Sequence, residues 1–159
     1  MSEPIRFTLN GAERTLSCDP SSALLYALRE QCGLTGAHFG CGLNQCGACY
    51  VLVEGQPLAA CDTPMWSVAG KSVVTVEGLG SPDRPHALQS AIIEEQAIQC
   101  GYCISGVLIS AAALLDKSPN PQEGEVRAAL DGNLCRCGAH NRIVRAVMKA
   151  ARTMAEART

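Results

Sequence analysis

The chain has 159 residues, a net charge of −2 and 47% hydrophobic residues, enough for one ordinary domain or two small ones with an apolar core. The charge balance, without a basic or acidic tail, argues against nucleic-acid and membrane-surface partners. No segment approaches the length of a membrane span. Ten cysteines are present and no signal peptide is visible, so we expect a reducing, cytoplasmic compartment in which clustered cysteines are metal ligands.

The first elements are predicted to be a β-hairpin and a helix. Apolar and polar residues alternate from residue 5 to residue 9, which indicates a half-buried strand. Asn10-Gly11 follows and is a strong hairpin signal, because both residues tolerate positive φ. A second strand is expected over residues 14–17. Residues 20–22 then predict a helix start with a serine N-cap, and Gly33 predicts the helix end.

Three cysteines next lie close together in a glycine-rich loop, at Cys41, Cys46 and Cys49. Glycine permits the unusual φ/ψ values that a loop needs if its sulfur atoms are to converge. The spacing C-x4-C-x2-C with a distant fourth cysteine, here Cys61, is that of plant-type [2Fe–2S] ferredoxins. A strand at residues 50–53 and its partner would carry Cys61 back to the loop. Zinc also accepts four thiolates, but usually from two short cysteine pairs, so the spacing favours an iron–sulfur cluster.

Three further residues of metal-binding type are interpreted as structural. Cys18 and Cys32 have no nearby cysteine partner, so we expect both to be small buried residues. His38 lies three residues before Cys41 in the cysteine loop. A ligand or proton-donor role stays open for His38, but a partly exposed loop histidine is the preferred interpretation.

The hydrophobic pattern changes from a period of two to a helical period across the turn-rich residues 79–85. A last strand is expected at residues 73–76, ended by Gly78. The chain is therefore divided into an N-terminal domain over residues 1–78, a linker over 79–85 and a C-terminal domain over 86–159. Four helices are predicted in the second domain, over residues 87–97, 104–115, 121–130 and 141–154. The second of them is apolar on almost all sides, which predicts a buried helix.

A second set of four cysteines comprises Cys100, Cys103, Cys135 and Cys137. Each close pair is followed by a predicted helix. If the two helix N-termini meet, both helix dipoles direct their positive ends at one metal site, which suits a negatively charged iron–sulfur cluster held by thiolates. Zinc stays open for this set. A disulfide between Cys135 and Cys137 is disfavoured, because only one residue separates them.

These motifs closely resemble the iron–sulfur subunit of the molybdenum hydroxylase, or xanthine oxidase, family. The matching segments are C-G-L-N-Q-C-G-A-C at Cys41–Cys49, Q-C-G-Y-C at Gln99–Cys103 and N-L-C-R-C-G at Asn133–Gly138. The resemblance implies an α+β fold in which an N-terminal β-grasp ferredoxin-like domain precedes a C-terminal four-helix bundle domain. It also implies one [2Fe–2S] cluster in each domain.

The resemblance assigns roles residue by residue. Residues Gln99 and Cys137 should approach the pterin edge of a molybdopterin-type molybdenum cofactor held by a large partner chain. Asn44 stands where family loops commonly have glycine, and asparagine is the residue that best replaces glycine at positive φ. The implied cluster ligands are Cys41, Cys46, Cys49 and Cys61 in the first domain, and Cys100, Cys103, Cys135 and Cys137 in the second.

The implied function is electron transfer within a molybdenum-dependent hydroxylase or dehydrogenase. Electrons would leave the molybdopterin-binding large subunit through the two clusters for a cytochrome, a flavin subunit or another acceptor, and this chain would hold no substrate site. The segment Gly138–His140 is similar to that of members acting on N-heteroaromatic compounds such as nicotinate or isoquinoline. An aldehyde, a purine or carbon monoxide are the alternative substrates. A free-standing ferredoxin and a zinc-stabilised interaction module are the rival functions.

Overall fold

The structure, a computed structural model, describes residues 4–157 of the chain. The outer ends of the two predicted domains, residues 1–3 and 158–159, lie outside the described residues. Strands and short helices occupy the N-terminal half and four longer helices the C-terminal half, which confirms the α+β class. The strands are β1 (Ile5–Leu9), β2 (Ala12–Leu16), β3 (Tyr50–Val53), β4 (Gln56–Ala59) and β5 (Ser72–Val74). The helices are α1 (Leu24–Tyr26), α2 (Ala87–Glu94), α3 (Ile104–Lys117), α4 (Glu123–Ala129) and α5 (His140–Glu156).

The five strands form one mixed sheet in the order β2-β1-β5-β3-β4. β1 pairs with β2 in antiparallel register and with β5 in parallel register, whereas β3 is antiparallel to both β4 and β5. Asn10 and Gly11 have φ values of 50° and 81°, so the predicted first hairpin is confirmed. The second hairpin turns at Glu54 and Gly55, with φ values of 51° and 74°. This hairpin returns the chain from β3 to β4 and toward Cys61.

The core of the N-terminal half lies between one face of the sheet and the segments that cross it. Alternate residues of β1 are buried, as the period-two pattern predicts. Burial of such side chains is worth about 1.5–3 kcal/mol each. The largest fully buried side chains of this half are Leu24, Leu25, Leu28, Val51, Met65, Val68 and Val73.

The prediction of a serine N-cap for the first helix is wrong. Ala23 is the N-cap of α1, and no side chain caps it. The N–H groups of Leu24 and Leu25 instead donate to the carbonyls of Thr63 and Ala60, at 2.8 and 2.9 Å. These long-range bonds satisfy the donors that a capping serine would serve. α1 continues as a π-helical turn over Ala27–Gln31, and Gly33 follows at φ 69°, as predicted for the helix end.

The expected last strand ends earlier than predicted. β5 stops at Val74, and Val76 begins a short 3₁₀ helix, Val76–Gly78. The side chain of Asn10 explains the break, because its Oδ1 accepts the N–H of Thr75 at 2.9 Å and its Nδ2 donates to Thr75 Oγ1 at 3.0 Å. The backbone donor that would extend the sheet is therefore used by a side chain. Another 3₁₀ helix, Met65–Val68, was not predicted.

The four C-terminal helices confirm the predicted elements, with boundaries that move by a few residues. α2 packs along α5, and α4 contacts both α3 and α5. α3 also packs on β3 and β4, so it contacts both halves of the chain and is buried along most of its length, as its apolar sequence predicts. None of the helices within residues 4–157 is long and apolar enough to cross a membrane. The core of this half contains Leu88, Ile92, Val107, Leu115, Val126, Ile143, Val147 and Ala150.

His86 caps the first of these helices and makes that end sensitive to pH. Its Nδ1 accepts the N–H of Leu88 at 3.2 Å, and its own N–H donates to Gln89 Oε1 at 2.8 Å. Only the neutral imidazole can accept through Nδ1. Burial lowers the pKa of His86 below the 6.5 of an unperturbed histidine.

We therefore expect the stabilising contribution of His86 to be present above about pH 6.5 and to be lost as the pH falls toward the lower folded-state pKa. Loss of an N-cap costs about 0.5–2 kcal/mol. The substitution His86→Asn replaces the capping ring nitrogen with an amide oxygen and removes the titration, so the fall in melting temperature between pH 7.5 and pH 5.5 should be smaller in this variant. An equal fall in both proteins would contradict the assignment.

Candidate metal centres

The first thiol set is assembled by one loop and one hairpin. Cys41, Cys46 and Cys49 lie on the loop between α1 and β3, and Cys61 follows β4. The side chains of Cys49 and Cys61 are within hydrogen-bonding reach of each other, as are those of Cys41 and Cys46. The β3–β4 hairpin is responsible for the first pair, because Tyr50 lies opposite Ala59 in its register. The loop and hairpin predicted from the spacing are thus present.

The loop reaches this shape through three residues in the left-handed region of φ. Gly42, Asn44 and Gly47 have φ values of 70°, 54° and 69°. Asn44 therefore adopts the conformation expected of a residue that stands in for glycine. Gly40 leaves space beside a sulfur, since a Cβ there would lie 2.6 Å from Cys46 Sγ. The loop can thus accommodate a group bound to its thiols.

The two thiol pairs of this set have different electrostatic surroundings. Cys41 Sγ accepts the N–H groups of Leu43 and Gln45, at 3.4 and 3.2 Å. These bonds favour the thiolate and lower the pKa of Cys41 to about 7. Burial, in contrast, raises the pKa of Cys49 to about 12. The loop therefore stabilises a negative sulfur directly at its exposed side, whereas the buried sulfur requires a cationic group to become a thiolate.

The second thiol set lies where two long helices begin. Cys103 is the N-cap of α3, and Cys135 and Cys137 directly precede α5, whose N-cap is Ala139. The side chains of Cys103 and Cys135 lie within hydrogen-bonding reach of each other, as do those of Cys100 and Cys137. The structure therefore brings together the four cysteines that the sequence grouped, at the predicted helix starts.

Backbone N–H groups also surround this second set. The N–H of Tyr102 lowers the pKa of Cys100. Burial acts to raise the pKa of Cys135, but N–H groups that include that of Ala139 outweigh it, and the net pKa is lowered. Burial raises the pKa of Cys103 to about 12. The set thus combines a buried thiol with thiols that are stabilised as anions by N–H groups just before the two helices.

The paired arrangement bears on which metal group the thiols could hold. Within residues 4–157, no group of three or more His, Cys, Asp or Glu side chains is placed to hold a single metal ion. A structural zinc site needs four ligands around one ion. Two thiol pairs side by side instead suit a binuclear group in which each metal takes two thiolates. Four thiols in two pairs therefore match the donor set of a [2Fe–2S] cluster.

The two sets lie next to each other across the boundary between the sheet and the helices. The N–H of Leu134, adjacent to Cys135, donates to the carbonyl of Cys46 at 2.9 Å. Backbone from one thiol loop thus contacts backbone from the other. One cleft of about 350 Å³ is bordered by cysteines of both sets, namely Cys41, Cys46, Cys100 and Cys103, together with Gly40, Ala48, Tyr102, Leu134 and Arg136.

A second bridge between the two loops was missed in the sequence. His38 Nδ1 lies 2.9 Å from the carbonyl oxygen of Tyr102, and the two rings stack with centroids 4.6 Å apart. The hydroxyl of Tyr102 donates to the carbonyl of Phe39. His38 is half-buried and lies outside the paired thiols, in keeping with the preferred interpretation of it as a loop histidine. No local pattern signals this contact, because 64 residues separate the partners.

The remaining candidate residues are Gln99, Cys18 and Cys32. Gln99 is exposed, and its Nε2 donates to the carbonyl of Cys137 at 3.3 Å, so the two residues predicted to share a role are in contact. Cys18 and Cys32 are half-buried rather than fully buried and pack against the core of the N-terminal half. Burial raises the pKa of Cys32. These two cysteines therefore behave as structural residues.

Comparison with known proteins gives two family matches and similar relatives. Residues 7–71 match the model of a 2Fe-2S iron-sulfur cluster binding domain, and residues 75–148 match that of a [2Fe-2S] binding domain. The chain is 45% identical to one subunit of the nicotinate dehydrogenase of Pseudomonas putida, over 96% of this chain and 98% of the relative. It is 48% identical to the alpha subunit of the isoquinoline 1-oxidoreductase of Brevundimonas diminuta, over 95% of this chain and 99% of the relative.

Among solved structures, the aldehyde oxidoreductase of Desulfovibrio desulfuricans superimposes with a TM-score of 0.95 and 41% identity. The match covers 98% of this chain but only 17% of that one. The fold described above therefore recurs as one part of a much longer enzyme chain.

The Tyr102 bridge can be tested by removing only its hydroxyl. Tyr102→Phe keeps the stacking on His38 but loses the bond to Phe39, and we expect a loss of stability of about 0.5–1.5 kcal/mol in thermal or denaturant unfolding. Tyr26→Phe is the matched control, because Tyr26 is similarly exposed and stacks on Phe39. Equal effects of the two substitutions would contradict the bridge.

Proposed function

Because this chain belongs to the iron–sulfur subunits of the molybdenum hydroxylase (xanthine oxidase) family, we propose that each of its two thiol sets holds one [2Fe–2S] cluster. The protein is the electron-transfer subunit of an oxidoreductase complex and carries two [2Fe–2S] domains. The observation that carries the proposal is the presence of two sets of four thiols, on loops whose backbones are in direct contact.

The proposed ligands follow the pairs seen in the structure. In the ferredoxin-like domain, Cys41 and Cys46 would bind one iron. Cys49 and Cys61 would bind the other.

In the helical domain the corresponding pairs are Cys100 with Cys137 and Cys103 with Cys135. Each cluster, when bound, supplies reversible one-electron chemistry. Both of these pairs join thiols from segments on either side of α3 and α4, and the pair of Cys49 and Cys61 joins the two ends of the β3–β4 hairpin. Each cluster would therefore tie distant segments of its domain together.

The protein's own contribution is to hold the sulfurs, stabilise their negative charge and limit water. The N–H groups of Leu43 and Gln45 donate to Cys41, and those at the start of α5 donate to Cys135. Such bonds to cluster ligands raise the reduction potential, because they favour the more negative reduced state. The hydrogen bond from Leu134 to Cys46 gives electrons a short backbone connection between the two ligand loops.

The surfaces proposed for the two partners are the exposed parts of the two thiol loops. Gln99, Cys100 and Leu134 are exposed beside the helical set. We assign this surface to the large molybdopterin-binding subunit, with Gln99 and Cys137 nearest the pterin. The exposed Phe39 and Leu43 lie in the other thiol loop. An acceptor such as a flavin subunit or a cytochrome would take electrons there.

The proposed substrate is an N-heteroaromatic compound. Relatives named for nicotinate and isoquinoline are 45% and 48% identical to this chain over nearly its full length. An aldehyde, a purine or carbon monoxide are the alternatives, and a relative named aldehyde oxidoreductase is 42% identical over 91% of this chain. The substrate would bind to the large partner in each case.

The proposed domains are residues 1–78 for the ferredoxin-like unit and 86–159 for the helical unit, joined by residues 79–85. A reciprocal pair of backbone bonds between Ser81 and Arg84 makes the linker a tight turn, in support of that division. The mutual packing of α2, α3, α4 and α5 supports a four-helix bundle. A cytoplasmic location suits ten cysteines that are all free thiols.

The first test is the iron and acid-labile sulfide content, together with low-temperature EPR after reduction. About four irons and two distinct S = 1/2 signals are expected for two [2Fe–2S] centres. We expect Cys41→Ser to remove the signal of the ferredoxin-like domain and to retain that of the helical domain, because separate loops supply the ligands. Cys18→Ser is the control and should retain both. Zinc without either signal would overturn the proposed function.

The proposed pterin-facing role of Gln99 is tested in the assembled complex. Gln99→Ala removes the bond to the carbonyl of Cys137 while leaving all eight thiols in place. We expect turnover with substrate to fall, while reduction of both clusters by dithionite is retained. Gln31→Ala, at an exposed position of the first domain, is the control. Unchanged turnover in Gln99→Ala would contradict the role.

A further inference from the structure

The contact between the two thiol loops is built around a single residue, Gly47. A Cβ at Gly47 would lie 2.5 Å from Asn133 Nδ2 and 2.5 Å from the carbonyl oxygen of Gly132. From the other side, a Cβ at Gly106, in the first turn of α3, would lie 1.8 Å from the carbonyl oxygen of Gly47. The loop of the first thiol set is therefore inserted into a slot formed by the helical half. We call these residues, Gly47, Gly106, Gly132 and Asn133, the inter-cluster joint.

Asn133 is the polar side chain of this joint. It is 3% exposed, and its Nδ2 donates to the carbonyl of Gly47 at 3.4 Å. Its Oδ1 is buried without a hydrogen-bond partner among the described residues. A buried polar atom without a partner is unfavourable for folding. A leucine or alanine would avoid that penalty, so stability alone gives little reason for an asparagine here.

Asn133 also stands at a particular place in the chain. Its neighbour Leu134 makes the backbone bond to Cys46, and Cys135 of the second thiol set follows directly. Two consecutive residues of the helical half thus bond to two consecutive carbonyls of the ferredoxin-like half, those of Cys46 and Gly47. Two adjacent bonds resist rotation and sliding of one loop against the other, whereas a single bond would allow the loops to pivot.

We propose that Asn133 is a positioning residue that holds the two cluster-binding loops at a fixed separation and so controls electron transfer between the clusters. The inference rests on the proposed function, since it requires a cluster in each thiol set. With the Asn133 side chain in place, the backbone bond from Leu134 to Cys46 keeps its geometry. Without it, the joint retains only that bond and the contact of two glycines, and the separation of the loops depends on the more distant Tyr102 bridge and on the packing of α3 against β3 and β4.

The test compares Asn133→Ala with Asn141→Ala, an exposed asparagine of α5, in the complete enzyme complex. Two readouts respond to separation: the magnetic splitting between the two reduced clusters in EPR, and the rate at which one injected electron redistributes between them after pulse radiolysis. We expect Asn133→Ala to retain the iron content of the unmodified protein, to narrow the splitting and to slow redistribution several-fold, whereas Asn141→Ala should match the unmodified protein.

If Asn133→Ala shows the same magnetic splitting and the same rate of electron redistribution as the unmodified protein, the inference is overturned, even if the variant melts at a lower temperature. Should Asn133→Ala lose iron, Asn133→Leu, which fills a similar volume but has no donor, is measured in the same way. A normal splitting and rate in Asn133→Leu, or loss of iron there too, would overturn the inference in favour of a general folding role. Failure of the proposed function is distinguishable, because the unmodified complex would then lack one of the two cluster signals.

Discussion

The close approach of Gly47 to Gly106 and Asn133 is the contact on which the rest of this structure depends. Both thiol sets lie in irregular loops, and irregular loops hold their shape only when neighbouring elements restrain them. Here each loop restrains the other, because the sheet half inserts one glycine between the first turn of α3 and the residues before Cys135. α3, which packs on β3 and β4, fixes the same relation over a larger area. The positions of the eight thiols thus depend on the contact between the halves as well as on each half alone.

The two sets stabilise thiolate charge by different means, and this follows from the elements that carry them. The first set relies on a loop with three residues at positive φ, which turns individual N–H groups toward Cys41. The second relies on N–H groups of residues that directly precede α3 and α5, namely those of Tyr102, Cys137, Gly138 and Ala139. Each set also contains a deeply placed thiol, Cys49 or Cys103, whose pKa is raised by burial. A bound metal is therefore needed to ionise those two thiols at neutral pH.

Local sequence patterns predicted the elements of this fold better than they predicted its long-range contacts. The first hairpin at Asn10-Gly11 and the buried helix α3 were predicted, because turn propensity and hydrophobic periodicity are properties of neighbouring residues. The grouping of the eight cysteines followed from their spacing. The prediction of a serine N-cap for α1 was wrong, because the carbonyls of Thr63 and Ala60 accept the first N–H groups of the helix instead. Likewise, Asn133 and Gly47 are 86 residues apart, and no local pattern records such a pair.

The connectivity of the two sets has a consequence for folding. Three thiols of the first set lie within one loop, so the β3–β4 hairpin alone brings the fourth, that of Cys61, to them. The second set joins residues on either side of α3 and α4, so these helices must be folded and packed before all four thiols meet. Metal binding stabilises whichever segments it joins. A cluster in the second set would therefore stabilise the whole helical half, whereas one in the first would stabilise mainly the loop and hairpin.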